Sequence, residues 1–97
     1  MPQTVLLRAQ GPSLAAFGVS GTLADTVVEL YQGQTVIGSN DNWRDTQQQS
    51  ITATGLAPTS DMESAILATL PPGAYTMIVR GKNGATGVGI VESFLVD

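Results

Sequence analysis

The residues best suited to chemistry lie in one short run, Asn40-Asp41-Asn42, with Asp45 three positions on. Carboxylate and amide oxygens crowded into a tight loop are the ligand type a hard cation such as Ca²⁺ takes. The spacing departs from the EF-hand pattern, which sets acids at alternate positions around a central glycine. Asn and Asp also bond their own backbone and build turns, which gives the same run a structural reading. Asp61 and Glu63 would join a cation site here if the two loops meet. Paired carboxylates could in principle serve a glycosidase, whose two acids stand about 5–10 Å apart. No motif separates Asp41, Asp45, Asp61 or Glu63 from ordinary loop acids, so no catalytic residue is expected. The chain has no histidine and no cysteine, which removes the usual base near neutral pH, thiolate nucleophiles and disulfides. Ser13 and Ser64 therefore have no base placed by any motif. The glycines at 81–89 precede no helix and make no phosphate loop.

Aromatic side chains offer a second chemistry. Trp43, Tyr31 and Tyr75 would form a sugar-stacking platform, and an extracellular polysaccharide a partner, if all three faced one surface. Aromatics are 5% of the chain, and Tyr75 falls on the apolar face of its strand, so packed rings are the expected state. Charge excludes other partners. The basic residues are Arg8, Arg44, Arg80 and Lys82, against a formal net charge of −4. Binding to phosphate backbones or anionic lipid needs clustered Lys and Arg, so neither nucleic acid nor membrane insertion is expected.

These residues need a scaffold, and the punctuation of the chain describes one. Its 97 residues suit a single domain with a real core. Residues 4–9 (TVLLRA) read as a strand with Val5, Leu7 and Ala9 on one face. Gly11-Pro12 breaks it. Ser13 is placed to cap a helical turn over 14–17 that ends at Gly18, with Leu14 and Phe17 plugging one end of the core. Residues 26–31 (TVVELY) and 34–38 (QTVIG) pair across Gln32-Gly33, with Val28 and Leu30 inward and Glu29 toward solvent. Asp45 could cap a short helix over 46–54, anchored by Ile51 and stopped by Gly55. Residues 56–62 read as loop. The stretch LPPGAYTMIVRG at 70–81 looks like the organising centre: a Pro-Gly turn, then Tyr75, Met77 and Val79 alternating with Thr76, Ile78 and Arg80. With 63–70 before it, and 87–96 after a turn at Lys82-Asn83-Gly84, it predicts a three-strand antiparallel meander. The whole predicts an all-β antiparallel sandwich of jelly-roll or immunoglobulin-like size, with one or two short helical turns.

Several segments, LLRAQGPSLAAFGV, LADTVVELY, SNDNW, ESAILATLPPGAYTMIVRG and TGVGIVES, resemble a β-sandwich module repeated in large secreted bacterial proteins. They cover nearly the whole chain in the order that family has them. The plan is more loosely similar to the pre-peptidase C-terminal domains that accompany secreted hydrolases. The resemblance implies a secreted or cell-surface module, residues 1–97 forming one unit of a longer repeat-containing chain. It implies no catalytic activity. Members carry a further strand-like segment ahead of the LLRA strand, and this chain begins just before LLRA. If that segment pairs with a strand retained here, a sheet edge is left open. The expectation is a structural or interaction module that self-associates through that edge or contacts neighbouring modules. A calcium- or carbohydrate-binding accessory module, using Asn40, Asp41, Asn42 and Asp45 for the ion, is the alternative.

Overall fold

The structure is a computed structural model and describes residues 2–96. Six strands form two antiparallel sheets of three. They are β1 (Gln3–Gln10), β2 (Thr26–Gln32), β3 (Thr35–Asn40), β4 (Ser64–Leu70), β5 (Tyr75–Gly81) and β6 (Ile90–Leu95). The first sheet has the order β4-β1-β6 and the second β3-β2-β5. One α-helix, α1 (Gln48–Ala53), and three short 3-10 turns complete the described residues. The expected all-β architecture is what the chain adopts.

The sheets stack through alternate residues. Leu7, Ala9 and Ile66 of the first sheet meet Val28 and Leu30 of the second. Period-2 alternation puts Val5, Leu7 and Ala9 on one side of β1, as the pattern requires. The opposite side of β1 is not solvated. Leu6 packs with Ala65, Trp43 and Ile51 into a second apolar cluster, because α1 and the 3-10 turn Trp43–Asp45 lie over the outer face of the first sheet. Each such side chain taken out of water contributes about 1.5–3 kcal/mol.

The predicted meander is not formed. β4 pairs with β1, from Gln3↔Leu70 to Ala9↔Ser64, while β5 pairs with β2, from Thr26↔Gly81 to Gln32↔Tyr75. β6 returns to the first sheet, with Val5↔Leu95 through Gln10↔Ile90. The connections after β4 and β5 therefore cross between sheets. Pro71 and Pro72 cannot donate the hydrogen bonds that close a hairpin, and the other edge of β4 is occupied by side chains described below. The central strands are β1 and β2, so the stretch 70–81 does not organise the fold.

Smaller departures have local causes. The turn Pro12–Phe17 is 3-10, and its Ser13 lies inside it and caps nothing. Leu14 is buried, but Phe17 stands 79% exposed and does not plug the core. Gly18 closes the turn at φ 84°, a conformation that favours glycine. Gly11 is fixed by crowding: a Cβ there would meet the Leu23 carbonyl oxygen at 2.4 Å. Helix α1 is shorter than 46–54, and Gln47, not Asp45, precedes it. Ile51 is its buried anchor and Gly55 follows at φ 75°. Glu29 is half-buried and ion-pairs with Arg80 at 2.9 Å.

Candidate functional site

Each strand has two edges, and on one lateral side of this sandwich the outer edge of β4 is closed by side chains, while Val36 and Ile37 of β3 stay exposed. In an antiparallel strand every second residue directs its N–H and C=O to the same edge. On the outer edge of β4 those residues are Ala65 and Leu67, continuing the row from Glu63. The Glu63 carbonyl accepts from the Trp43 N–H at 3.0 Å. The Ala65 N–H donates to Asn40 Oδ1 at 2.9 Å. The Leu67 N–H donates to Gln47 Oε1 at 3.0 Å, and Gln47 Nε2 donates back to the Leu67 carbonyl at 2.9 Å. A carboxamide has one acceptor and one donor side by side, so Gln47 imitates a neighbouring peptide group. Asn40 Nδ2 donates to the Asn42 carbonyl at 3.1 Å and to Thr46 Oγ1 at 3.3 Å, which holds its amide in place.

Asn40 is thus an edge clasp, set apart from the acidic residues that follow it. Asp41 pairs with Lys82, Oδ2 to Nζ 2.5 Å, and stands close enough to Asp25 for the two carboxyls to share a hydrogen bond when one is protonated. Burial first, then that hydrogen bond and the charge of Asp41, push the Asp25 carboxyl above the usual carboxylate range, against the opposing pull of Lys82. The same contact with Asp41 raises the Lys82 ammonium. One oxygen each of Asp25, Asp41 and Asn42 is buried and accepts no hydrogen bond. Asn42 Nδ2 reaches Asp45 Oδ2 at 3.5 Å. The loop therefore sets Asp41 against Lys82, with Asp25 beside it, and Asn42 against Asp45. Among the described residues, no three acidic side chains come close enough together to form a metal cage.

Asp61 and Glu63 are drawn elsewhere. Asp61 pairs with Arg44 at 2.5 Å, whose guanidinium lies over the Trp43 ring, 4.4 Å from its centroid. Glu63 is fully buried. Its Oε2 accepts from the Gly11 N–H at 2.8 Å, the Ser13 N–H at 2.9 Å and the Ser13 hydroxyl at 2.6 Å. The GPS segment after β1 is fastened to the start of β4 by this one carboxylate, a role for Ser13 that neither capping nor nucleophilic chemistry describes. The three aromatics face three ways. Trp43 is buried over the first sheet, Tyr31 shares the outer face of the second sheet with Val36 and Thr76, and Tyr75 packs between the sheets. They build no common platform.

The other lateral side, between β5 and β6, is open. By register with β1, the side chains of Val91, Ser93 and Leu95 point between the sheets, while Glu92 and Phe94 point out. Val91 is half-buried against the core, and over residues 92–95 exposure runs the opposite way. Ser93 is exposed and Leu95 is 60% exposed, whereas outward Glu92 and Phe94 are half-buried. Arg8 covers that outer face, bonded to Glu92 at 2.8 Å and stacked over Phe94 at 4.7 Å. Across the gap, Tyr75, Met77 and Val79 of β5 are only half-buried. A hollow of about 370 Å³, lined by Val5, Leu70, Tyr75 and the 71–73 turn, marks one end of the opening. Gln3 and the Tyr75 hydroxyl are the polar side-chain groups in its lining.

No protein-family model, curated protein or solved structure matches this chain.

Proposed function

We propose that the chain is a non-catalytic structural module of the cell surface or secreted space, which assembles by adding a strand to its open side. The observation that carries this reading is the exposure of Ser93 and Leu95, which point between the sheets yet are wetter than outward Glu92 and Phe94. A bare edge beside exposed apolar side chains accepts an extended chain by main-chain hydrogen bonds and alternate side-chain contacts. The partner is another copy or a neighbouring module of the same kind. A surface with 12% charged residues, about half the usual share, and the resemblance to repeated secreted modules support the location. Asp41, Asp61 and Glu63 are engaged by Lys82, Arg44 and backbone donors, which supports a role without catalysis.

Calcium or glycan binding is the competing class. A cation would have to displace Lys82 from Asp41 to use the unpaired oxygens of Asp25, Asp41 and Asn42. Sedimentation velocity over rising concentration, beside melting curves with calcium and with chelator, separates the two. The assembly reading expects a mass that grows with concentration and melting indifferent to calcium. A monomer at every concentration, stabilised by calcium, would overturn it.

A further inference from the structure

The free edge of β6 has a definite chemical polarity. Val96 N–H donates to the Thr4 carbonyl of β1 at 3.0 Å, so residues 90, 92, 94 and 96 spend their backbone groups on β1. Val91, Ser93 and Leu95 then direct theirs to the bare edge, because hydrogen-bonding positions alternate along an antiparallel strand. The same three residues direct their side chains into the open gap.

Resting on the assembly reading, we infer that the partner at this edge is a second copy of the chain, joined β6 to β6 antiparallel about a two-fold axis at Ser93. That register pairs Ser93 with the partner's Ser93, Val91 with the partner's Leu95, Glu92 with the partner's Phe94, and Ile90 with the partner's Val96. It overlaps the whole of 90–96, and every pair joins residues of the same sheet face, since a slip of one residue would set core-directed side chains against outward ones. Its hydrogen-bonding rows are the free ones of Val91, Ser93 and Leu95 on both chains. The result is about six inter-chain main-chain bonds, two for each directly opposed hydrogen-bonded pair. Charge selects the same register. Centring the axis on Glu92 would set two carboxylates face to face, which is unfavourable. Centred on Ser93, each Glu92 stays with its own Arg8, at 2.8 Å, and meets an aromatic ring. The product is one continuous sheet, β4-β1-β6 joined to its symmetry mate, in which the Val91 and Leu95 side chains of the two copies cover each other. An isologous contact of this kind closes on itself and stops at the dimer.

The chain has no cysteine, which makes a single introduced thiol a clean probe. Paired hydrogen-bonded residues stand about 5.5 Å apart at Cα, within the reach of a disulfide. Under mild oxidation, Ser93→Cys is expected to yield a covalent dimer at least about tenfold faster than Glu92→Cys, whose partner across the edge is Phe94. Leu95→Lys, at a position already 60% exposed, is expected to weaken dimerisation at least about tenfold, by setting an ammonium against Val91 of the other copy, with circular dichroism and melting unchanged. If the wild-type chain sediments as a monomer at every concentration, both the inference and the assembly reading fail. If it associates, yet Ser93→Cys cross-links no faster than Glu92→Cys and Leu95→Lys associates normally, this inference alone fails and the contact lies at another edge.

Discussion

The two lateral sides of this sandwich are built from the same kind of strand and end differently. Along β4, Asn40 and Gln47 present amide groups to the edge residues Ala65 and Leu67, and Trp43 closes over Leu6 and Ala65. Along β6, Ser93 and Leu95 of the corresponding row meet solvent, while Val91 is half-buried. An edge is thus silenced by short side chains without another strand, and an edge left without them is a place for association.

The contrast can be broken at its strongest point first. Trp43→Ala, which opens the layer that positions Gln47, is expected to cost about 3–5 kcal/mol in denaturant unfolding. Tyr75→Ala, on the open side and half-buried, should cost about 1 kcal/mol. Equal losses would mean that the two sides are not differently packed. Asn40→Ala leaves the Ala65 N–H buried without an acceptor, at a cost of about 1–3 kcal/mol. It should also add a new, concentration-dependent association through β4, seen by light scattering; unchanged mass would deny that the amide silences that edge.

A smaller effect concerns the acidic loop. The Asp25 carboxyl is raised in the folded state by burial and by Asp41, so the folded chain holds that proton to higher pH than the unfolded chain. The contribution of this group therefore favours the folded state at low pH and falls as pH climbs from the ordinary carboxylate range through the raised value. Asp25→Asn should remove that fall and melt slightly higher than wild type at neutral pH, with the gap closing in acid. A lower melting temperature at neutral pH would show that the carboxylate is needed charged. The smallest change is expected from Leu95→Lys, which should alter monomer stability by no more than about 0.5 kcal/mol.

Periodicity made much of this legible. The inward set Val5, Leu7, Ala9, Val28 and Leu30 can be read from alternation alone, as can the pairing of β2 with β3, although the turn between them is Gly33-Gln34 and not Gln32-Gly33. Pairing between distant strands could not be read, because alternation fixes which face is apolar and says nothing about which neighbour supplies the hydrogen bonds. That is why LPPGAY suggests a hairpin, where the chain instead passes from one sheet to the other. Leu6 carried a readable clue. Two successive leucines in β1 are both buried, as a strand covered on both faces requires. Glu63, Gln47 and Asp25 were legible only as polar letters, since their roles depend on backbone groups at separations such as the 52 residues between Gly11 and Glu63.

The pairing of β1 has a consequence in time. The strand is made before its partners, which begin at Ser64 and end at Leu95. Contacts this distant in sequence slow closure, and small β proteins of that kind fold in about milliseconds to seconds. Until residues 64–95 have been made, Leu6 and Leu7 are apolar surface with no sheet to join, the kind of exposure that invites aggregation.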